Sequence, residues 1–180
     1  MLDDAQFACL VVLYLADLSN KMPTTSLDRT DRRILEQLQA DGRLSNQELA
    51  ERVALSPSPC LRRVRALERR GVIRHYAAVL DPLRVGLGML AYVTVKLEKR
   101  GKMPVDQFTR AAQSWSEVIT CYAMTGDMDY LMRVQVEDLA HYSRFIMEKL
   151  LKQPGVIDIR TNFVLERVKE TTALPLEHLA

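Results

Sequence analysis

The spacing of apolar residues along the chain alternates between helical and strand periods. In "LDRTDRRILEQLQADGRLS" (27–45), Ile34, Leu35 and Leu38 recur at helical spacing. Asp28 precedes them as a helix N-cap, with Asp31 in the first turn, and Asp41-Gly42 ends the run. "SNQELAERV" (45–53) opens with Ser45 and Glu48, the spacing of a capping box, and buries Leu49 and Val53. After a short break comes "SPSPCLRRVRALERRG". Ser56 stands at the N-cap and Pro57 at the first helical position, where a missing N–H costs nothing, so the prolines start this helix rather than break it. Gly71 stops it, and "VIRHYAAVL" (72–80) reads as a strand. The order helix, helix, tight turn, helix, strand is that of a winged helix-turn-helix.

"DPLRVG" (81–86) reads as a linker, after which the period changes to two. Met89, Ala91, Val93, Val95 and Leu97 alternate within 88–97, while Leu90 and Tyr92 keep the second face partly apolar. One face then packs on helices, and the other is expected to meet a partner's sheet. A helix over 104–115 presents Val105, Phe108, Ala111, Ala112 and Trp115. Strands over 118–125 and 130–136 join through "GDMD" as a hairpin, and a helix over 138–153 carries Leu139, Tyr142, Ile146 and Leu150. Pro154-Gly155 ends it before a last strand over 156–168, with Ile157, Ile159, Phe163 and Leu165 expected to point inward. The sum is an α+β ferredoxin-like βαββαβ sandwich. The expected domains are an N-terminal extension (1–26), a winged helix-turn-helix (27–80), a linker (81–86), the sandwich (87–170) and a C-terminal tail (171–180).

Charge sharpens the first half. The chain has 180 residues and a net charge of +2, but residues 22–80 hold 11 Arg against 7 acids, and residues 81–180 balance at 13 each. Five of those arginines, Arg62, Arg63, Arg65, Arg69 and Arg70, fall within nine positions beside one acid, Glu68. On a wheel of about 100° per residue, Cys60, Leu61, Val64 and Leu67 share one side. Ser58, Pro59, Arg62, Ala66 and Arg69 lie opposite, flanked by Arg63, Arg65 and Arg70. A solvated helix face mixes signs, whereas this one is nearly pure arginine. Small residues at the start admit close approach to a major groove, arginine forks suit guanine, and flanking arginines suit phosphates. The expected DNA contacts are Ser56, Ser58, Pro59, Arg62, Arg63, Arg65, Arg69 and Arg70, with Arg62 and Arg69 toward bases and Arg63, Arg65 and Arg70 toward phosphates. A helix that docks on protein instead needs outward apolar anchors. None larger than Pro59 is expected here.

Other chemistry is sparse. Cys9, Cys60 and Cys121 have no ligand spacing and read as small buried hydrophobes in a reducing, cytoplasmic setting. His75, His141 and His178 are scattered, and no catalytic motif, metal cluster or phosphate loop appears, so neither enzyme activity nor a metal is expected. The 7–18 run "FACLVVLYLADL" is too short to span a bilayer and reads as a docking helix or as sequence upstream of a start at Met22. In "TGDMDY" (125–130), Gly126 permits a turn and close approach, and Asp127 and Asp129 suit an ammonium group, though such residues also make plain hairpin turns.

Two blocks then carry a resemblance: residues 27–73, through "SPSPCLRRVRALERRGVI", and "TGDMDYLMRVQVEDL" with "LLKQPGVIDIRTNFVLERVKETTALPL". Together they are similar to the Lrp/AsnC family of bacterial transcription regulators, the feast/famine regulatory proteins, over about 27–176. The resemblance implies a domain that binds double-stranded DNA and a domain that senses a free amino acid. It further implies homodimers assembling to higher oligomers such as octamers, and a nucleoid-associated cytoplasmic protein. It places the effector at Gly126, Asp127, Asp129 and Tyr130, with Met124, Thr125 and Leu139 as pocket wall. An apolar wall would suit leucine or methionine. The alternative is an amino-acid-binding module whose helical domain docks on a protein partner.

Overall fold

The computed structural model describes residues 27–98 and 103–179. The expected N-terminal extension with its apolar run and Cys9 lies outside them. The described residues form two compact units: 27–79 with the returning tail from 168, and 80–167.

The first unit holds three helices, α1 (Arg29–Ala40), α2 (Asn46–Arg52) and α3 (Pro57–Arg69). The expected N-cap at Asp28 and the expected capping box at Ser45 both form, and the Asp28 cap is itself a box with Asp31. Asp28 accepts from the Asp31 amide at 2.8 Å, and Ser45 and Glu48 satisfy each other's backbone N–H. The helices close over Ile34, Leu35, Leu49, Ala50, Val53, Cys60, Val64 and Leu67. α3 ends in a Schellman motif: Val72 N–H donates to the Leu67 carbonyl and Gly71 N–H to Glu68, with Gly71 at φ +70°. α2 ends the same way through Leu55 to Ala50 and Ala54 to Glu51, but the left-handed residue is Ala54 at φ +56°. The turn of this helix-turn-helix therefore carries a Cβ where glycine is favoured.

The expected strand over 72–80 does not form. The backbone is extended there, residues 74–80 are exposed, and no strand among the described residues pairs with them. A single extended segment with nothing to exchange hydrogen bonds with is not a strand. Tyr76 instead lies across the domain, its ring 3.5 Å from the Gly42 Cβ position and its hydroxyl 3.3 Å from Glu68. The tail also belongs to this unit. Gln39 clamps Leu174, accepting from its amide at 2.7 Å and donating to its carbonyl at 3.1 Å. Leu176 packs on the helical core, and Arg32 donates to the Leu179 carbonyl.

The second unit begins with a single 3₁₀ turn at Leu83–Val85, inside the expected linker. It continues as β1 (Met89–Leu97), α4 (Met103–Ser114), β2 (Val118–Ala123) and β3 (Tyr130–Val136). Helix α5 (Leu139–Arg144) runs into a π-helical stretch at Phe145–Leu150, and β4 (Val156–Phe163) closes the sheet. The antiparallel order β2-β3-β1-β4 is that of the expected βαββαβ sandwich. The alternation in β1 is as read, with Ala91, Val93, Val95 and Leu97 buried against Phe108, Ala112, Trp115, Tyr142, Phe145 and Leu150. Trp115 meets both Phe108 and Phe145 edge to face, joining the two helical layers. Buried Glu117 accepts from Lys149 at 2.7 and 2.9 Å and lies 3.6 Å from His141 Nε2. Burial pushes its carboxyl up, but these partners outweigh that and hold it below the usual range.

The inward face of β4 departs from expectation. A bulge opposite Lys96 and Leu97 pairs Leu97 with Val156, leaving Ile157 as the unpaired extra residue. Val156 and Ile159 therefore pack on the core, while Ile157 is exposed. Phe163 is partly exposed and stacks edge-on against Tyr142, and Leu165 lies past the strand end in solvent. Cys60 is buried as expected, but Cys121 is exposed, because β2 is an edge strand. The second face of the sheet is mixed: Tyr92 is opposite Arg133 and Asn162 and half-exposed, while Leu90 is buried beside the chain's own 87–89 and 164–167 segments.

Ala54→Gly should relieve the left-handed strain and stabilise the first unit by about 1 kcal/mol, read as a rise in denaturation midpoint with unchanged m-value. Gln39→Ala should lower the same midpoint, because it frees both backbone groups of Leu174.

Candidate nucleic-acid interface and effector site

The surface of α3 is set by how the helix is rolled. Cys60 and Leu67 are fully buried and Val64 nearly so, while Leu61 is 36% exposed. The buried side is thus centred about 50° from Val64 toward Arg63, not on Val64 itself. This roll corrects the assignment of Leu61 to the core, and it draws Arg63 inward. Arg63 Nη1 donates to Asp28 Oδ2 and to Asp31 Oδ1, each at 2.8 Å. Asp31 is itself buried, so the guanidinium neutralises a carboxylate held away from water. The backbone N–H of Asp31, reinforced by Arg63, holds the Asp28 carboxyl below its usual range. Arg63, expected at a phosphate, is thereby an inter-helix tie between α3 and the start of α1.

On the opposite side Ser58, Arg62, Arg65 and Arg69 are exposed and Ala66 is half-buried, while exposed Arg70 and half-buried Pro59 lie toward the flank that carries Arg63. Ser56 occupies the N-cap position yet makes no capping bond. The reason lies in the sequence: the third helical residue is Pro59, so the amide that an N-cap oxygen most often meets does not exist. The Ser56 hydroxyl is exposed and uncommitted to the cap. Asn46 donates to the Pro57 carbonyl at 2.9 Å, fixing the start of α3 to α2.

In the second unit the β2–β3 turn is closed by hydrogen bonds at Asp129. Met124 N–H donates to the Asp129 carbonyl and Asp129 N–H to Val95. The Asp129 carboxylate accepts from the Leu97 amide at 2.7 Å through Oδ2, which ties it to the end of β1. Asp127 is exposed. Gly126 has φ +115°, and a Cβ there would meet nothing within 4 Å. Tyr130 is half-buried with its ring 4.7 Å from Phe108, supporting the loop from the core side. Met124 and Thr125 are exposed beside it. Leu139 is not brought near. It follows β3, at the end opposite the loop, about seven strand residues or roughly 20 Å away. Among the described residues, no group of three or more His, Cys, Asp or Glu side chains is placed to hold a metal ion.

Residues 90–174 match the Lrp/AsnC ligand binding domain, and residues 27–74 match the winged helix-turn-helix DNA-binding domain. The chain is 44% identical over 159 residues to the leucine-responsive regulatory proteins of Salmonella typhimurium and Escherichia coli, covering 88% of this chain and 97% of theirs. The chain belongs to the Lrp/AsnC family. It is a DNA-binding transcription regulator with an amino-acid ligand-binding domain. A transcriptional regulator from Neisseria meningitidis, solved as a complex with L-Met, is 47% identical with a TM-score of 0.83 over 86% of this chain and 99% of that one. An AsnC family regulator from Agrobacterium tumefaciens is 37% identical with a TM-score of 0.81, covering 86% of this chain and all of that one. In this family member, then, the outward arginines lie on the domain that binds DNA, and the 125–130 loop lies within the ligand-binding domain.

Arg63→Ala should lower the stability of the first unit by about 1–3 kcal/mol, since Asp31 is left buried without its partner, whereas Arg62→Ala should leave stability unchanged. Chemical denaturation separates the two. The depressed Asp28 carboxyl adds stability that is complete above its unfolded value of about 3.9 and is lost as the pH falls through its folded value, so the melting point should drop in acid. Arg63→Ala should flatten that drop.

Proposed function

We propose that this regulator responds to a free amino acid, leucine or methionine, held at the 125–130 loop, and contacts DNA through Ser56, Ser58, Pro59, Arg62, Arg65, Arg69 and Arg70. The observation that carries the effector assignment is the division of labour between the two loop aspartates. Asp129 anchors the loop to β1, and Asp127 is left exposed on a turn opened by Gly126. An exposed carboxylate is complementary to an α-ammonium group, and turn amides are complementary to an α-carboxylate. The similar Neisseria regulator solved with L-Met supports methionine as a candidate.

On this reading one chain would supply only part of the wall: Met124, Thr125 and Gly126 on one side, with Leu139, which lies past the far end of β3, supplied by a second copy. The effector is therefore read as sitting between copies in a homodimer or a larger assembly such as an octamer. Its binding energy would favour one assembly over another, by no more than the difference in affinity between them. On this reading the protein works at double-stranded DNA in the cytoplasm, associated with the nucleoid.

Asp127→Ala should remove the leucine- or methionine-dependent change in DNA affinity while leaving the affinity without effector intact, measured by titrating a labelled duplex with and without each amino acid. An unchanged response in Asp127→Ala moves the effector elsewhere. Arg62→Ala should cost about 1–3 kcal/mol in binding and relax base preference at one position, whereas Arg70→Ala should weaken all duplexes alike and flatten the salt dependence.

A further inference from the structure

Leu61 is the one large aliphatic side chain that α3 turns outward. Its neighbours Cys60, Val64 and Leu67 are packed inside, and the exposed residues nearest to it around the helix are Ser58, Arg65 and Glu68, with Arg62 the next exposed position beyond them. It sits one turn beyond Ser58 and one turn before Arg65, in the first half of the helix. That half of a recognition helix approaches the base edges most closely. Here the approach is eased by a start made of Pro57, Ser58 and Pro59.

An aliphatic group can neither donate to a phosphate nor fork onto guanine. The major groove offers it one complementary surface, the C5 methyl of thymine. The roll of α3 that places Leu61 there is fixed from the other side by Arg63 on Asp28 and Asp31. We infer that Leu61 reads a thymine methyl close to the base met by Arg62, so that this helix combines one apolar determinant with its arginine contacts. The inference rests on the DNA-binding role of α3 and adds to it a determinant of sequence preference that carries no charge.

The test uses a duplex recovered from random DNA by selection with the wild-type protein. Each thymine is replaced in turn by uracil, which removes the methyl and leaves base pairing unchanged. At one position in a site, uracil should weaken the wild-type protein about three- to fivefold, the effect of burying a single methyl. The same replacement should have no effect on Leu61→Ala, and should keep its effect on Leu61→Met and Arg62→Ala. The salt slope of Leu61→Ala should equal that of the wild type, since no phosphate contact is lost. Equal uracil sensitivity of wild type and Leu61→Ala at every position overturns the inference. So does a wild-type protein that binds well but is indifferent to uracil throughout, and a Leu61→Ala variant altered only in self-association would then assign the side chain to a protein contact. Failure of selection to recover any duplex would instead sink the DNA-binding role of the helix itself.

Discussion

The rotation of α3 about its own axis is the constraint on which the DNA-binding half depends. A helix with five arginines in nine positions presents a different surface for each roll angle. Burial of Cys60, Val64 and Leu67 restricts the choice, and the two hydrogen bonds from Arg63 to Asp28 and Asp31 settle it. Those same carboxylates cap α1, so one cluster starts the first helix and orients the third. An arginine that looks like surplus positive charge is in this way subtracted from the interface and made part of the scaffold. Its pairing with Asp31 also offsets a negative charge beneath the exposed arginines of α3.

In the second unit the corresponding anchor is Asp129. Its carboxylate and both its backbone groups are hydrogen-bonded, to Leu97, Val95 and Met124, so the β2–β3 turn is closed between Met124 and Asp129 and tied to β1 at Asp129. Gly126 and Asp127 project from this frame. A ligand that binds there meets a site already ordered, and less of its binding energy is spent on arranging the loop. The aromatic chain from Tyr130 through Phe108 and Trp115 to Phe145 continues from that frame into both helices.

Much of this was legible from period and capping alone. The Asp28 N-cap, the Ser45 capping box, the Pro-started helix, the glycine stop and the burial pattern of β1 are local, and each is written in fewer than ten residues. What was not legible depends on partners distant in sequence. The wing segment has strand-like composition, but a strand exists only when another pairs with it. The inward set of β4 was misread because the bulge at Ile157 shifts the alternation, and a bulge is decided by the register of β1. Cys121 was assigned to the interior because cysteine prefers it, whereas edge position in the sheet decides. Leu61 and Arg63 exchanged roles because a wheel centred on one apolar residue has an error of half a face when a charged neighbour finds a buried partner. In the 125–130 loop, the two aspartates look equivalent in sequence. Only the Leu97 amide distinguishes them.

The return of the tail has a consequence for how this chain is made and handled. The helical unit is discontinuous: its core is completed by Leu176, and Gln39 waits for Leu174. During synthesis from the N-terminus the three helices emerge first but lack that covering until the whole ligand-binding unit has been translated. A premature stop after the sensor domain would therefore weaken the part of the protein encoded first. By the same token, an affinity tag or fluorescent protein fused to the C-terminus hangs from the DNA-binding unit, not from the sensor whose sequence it follows.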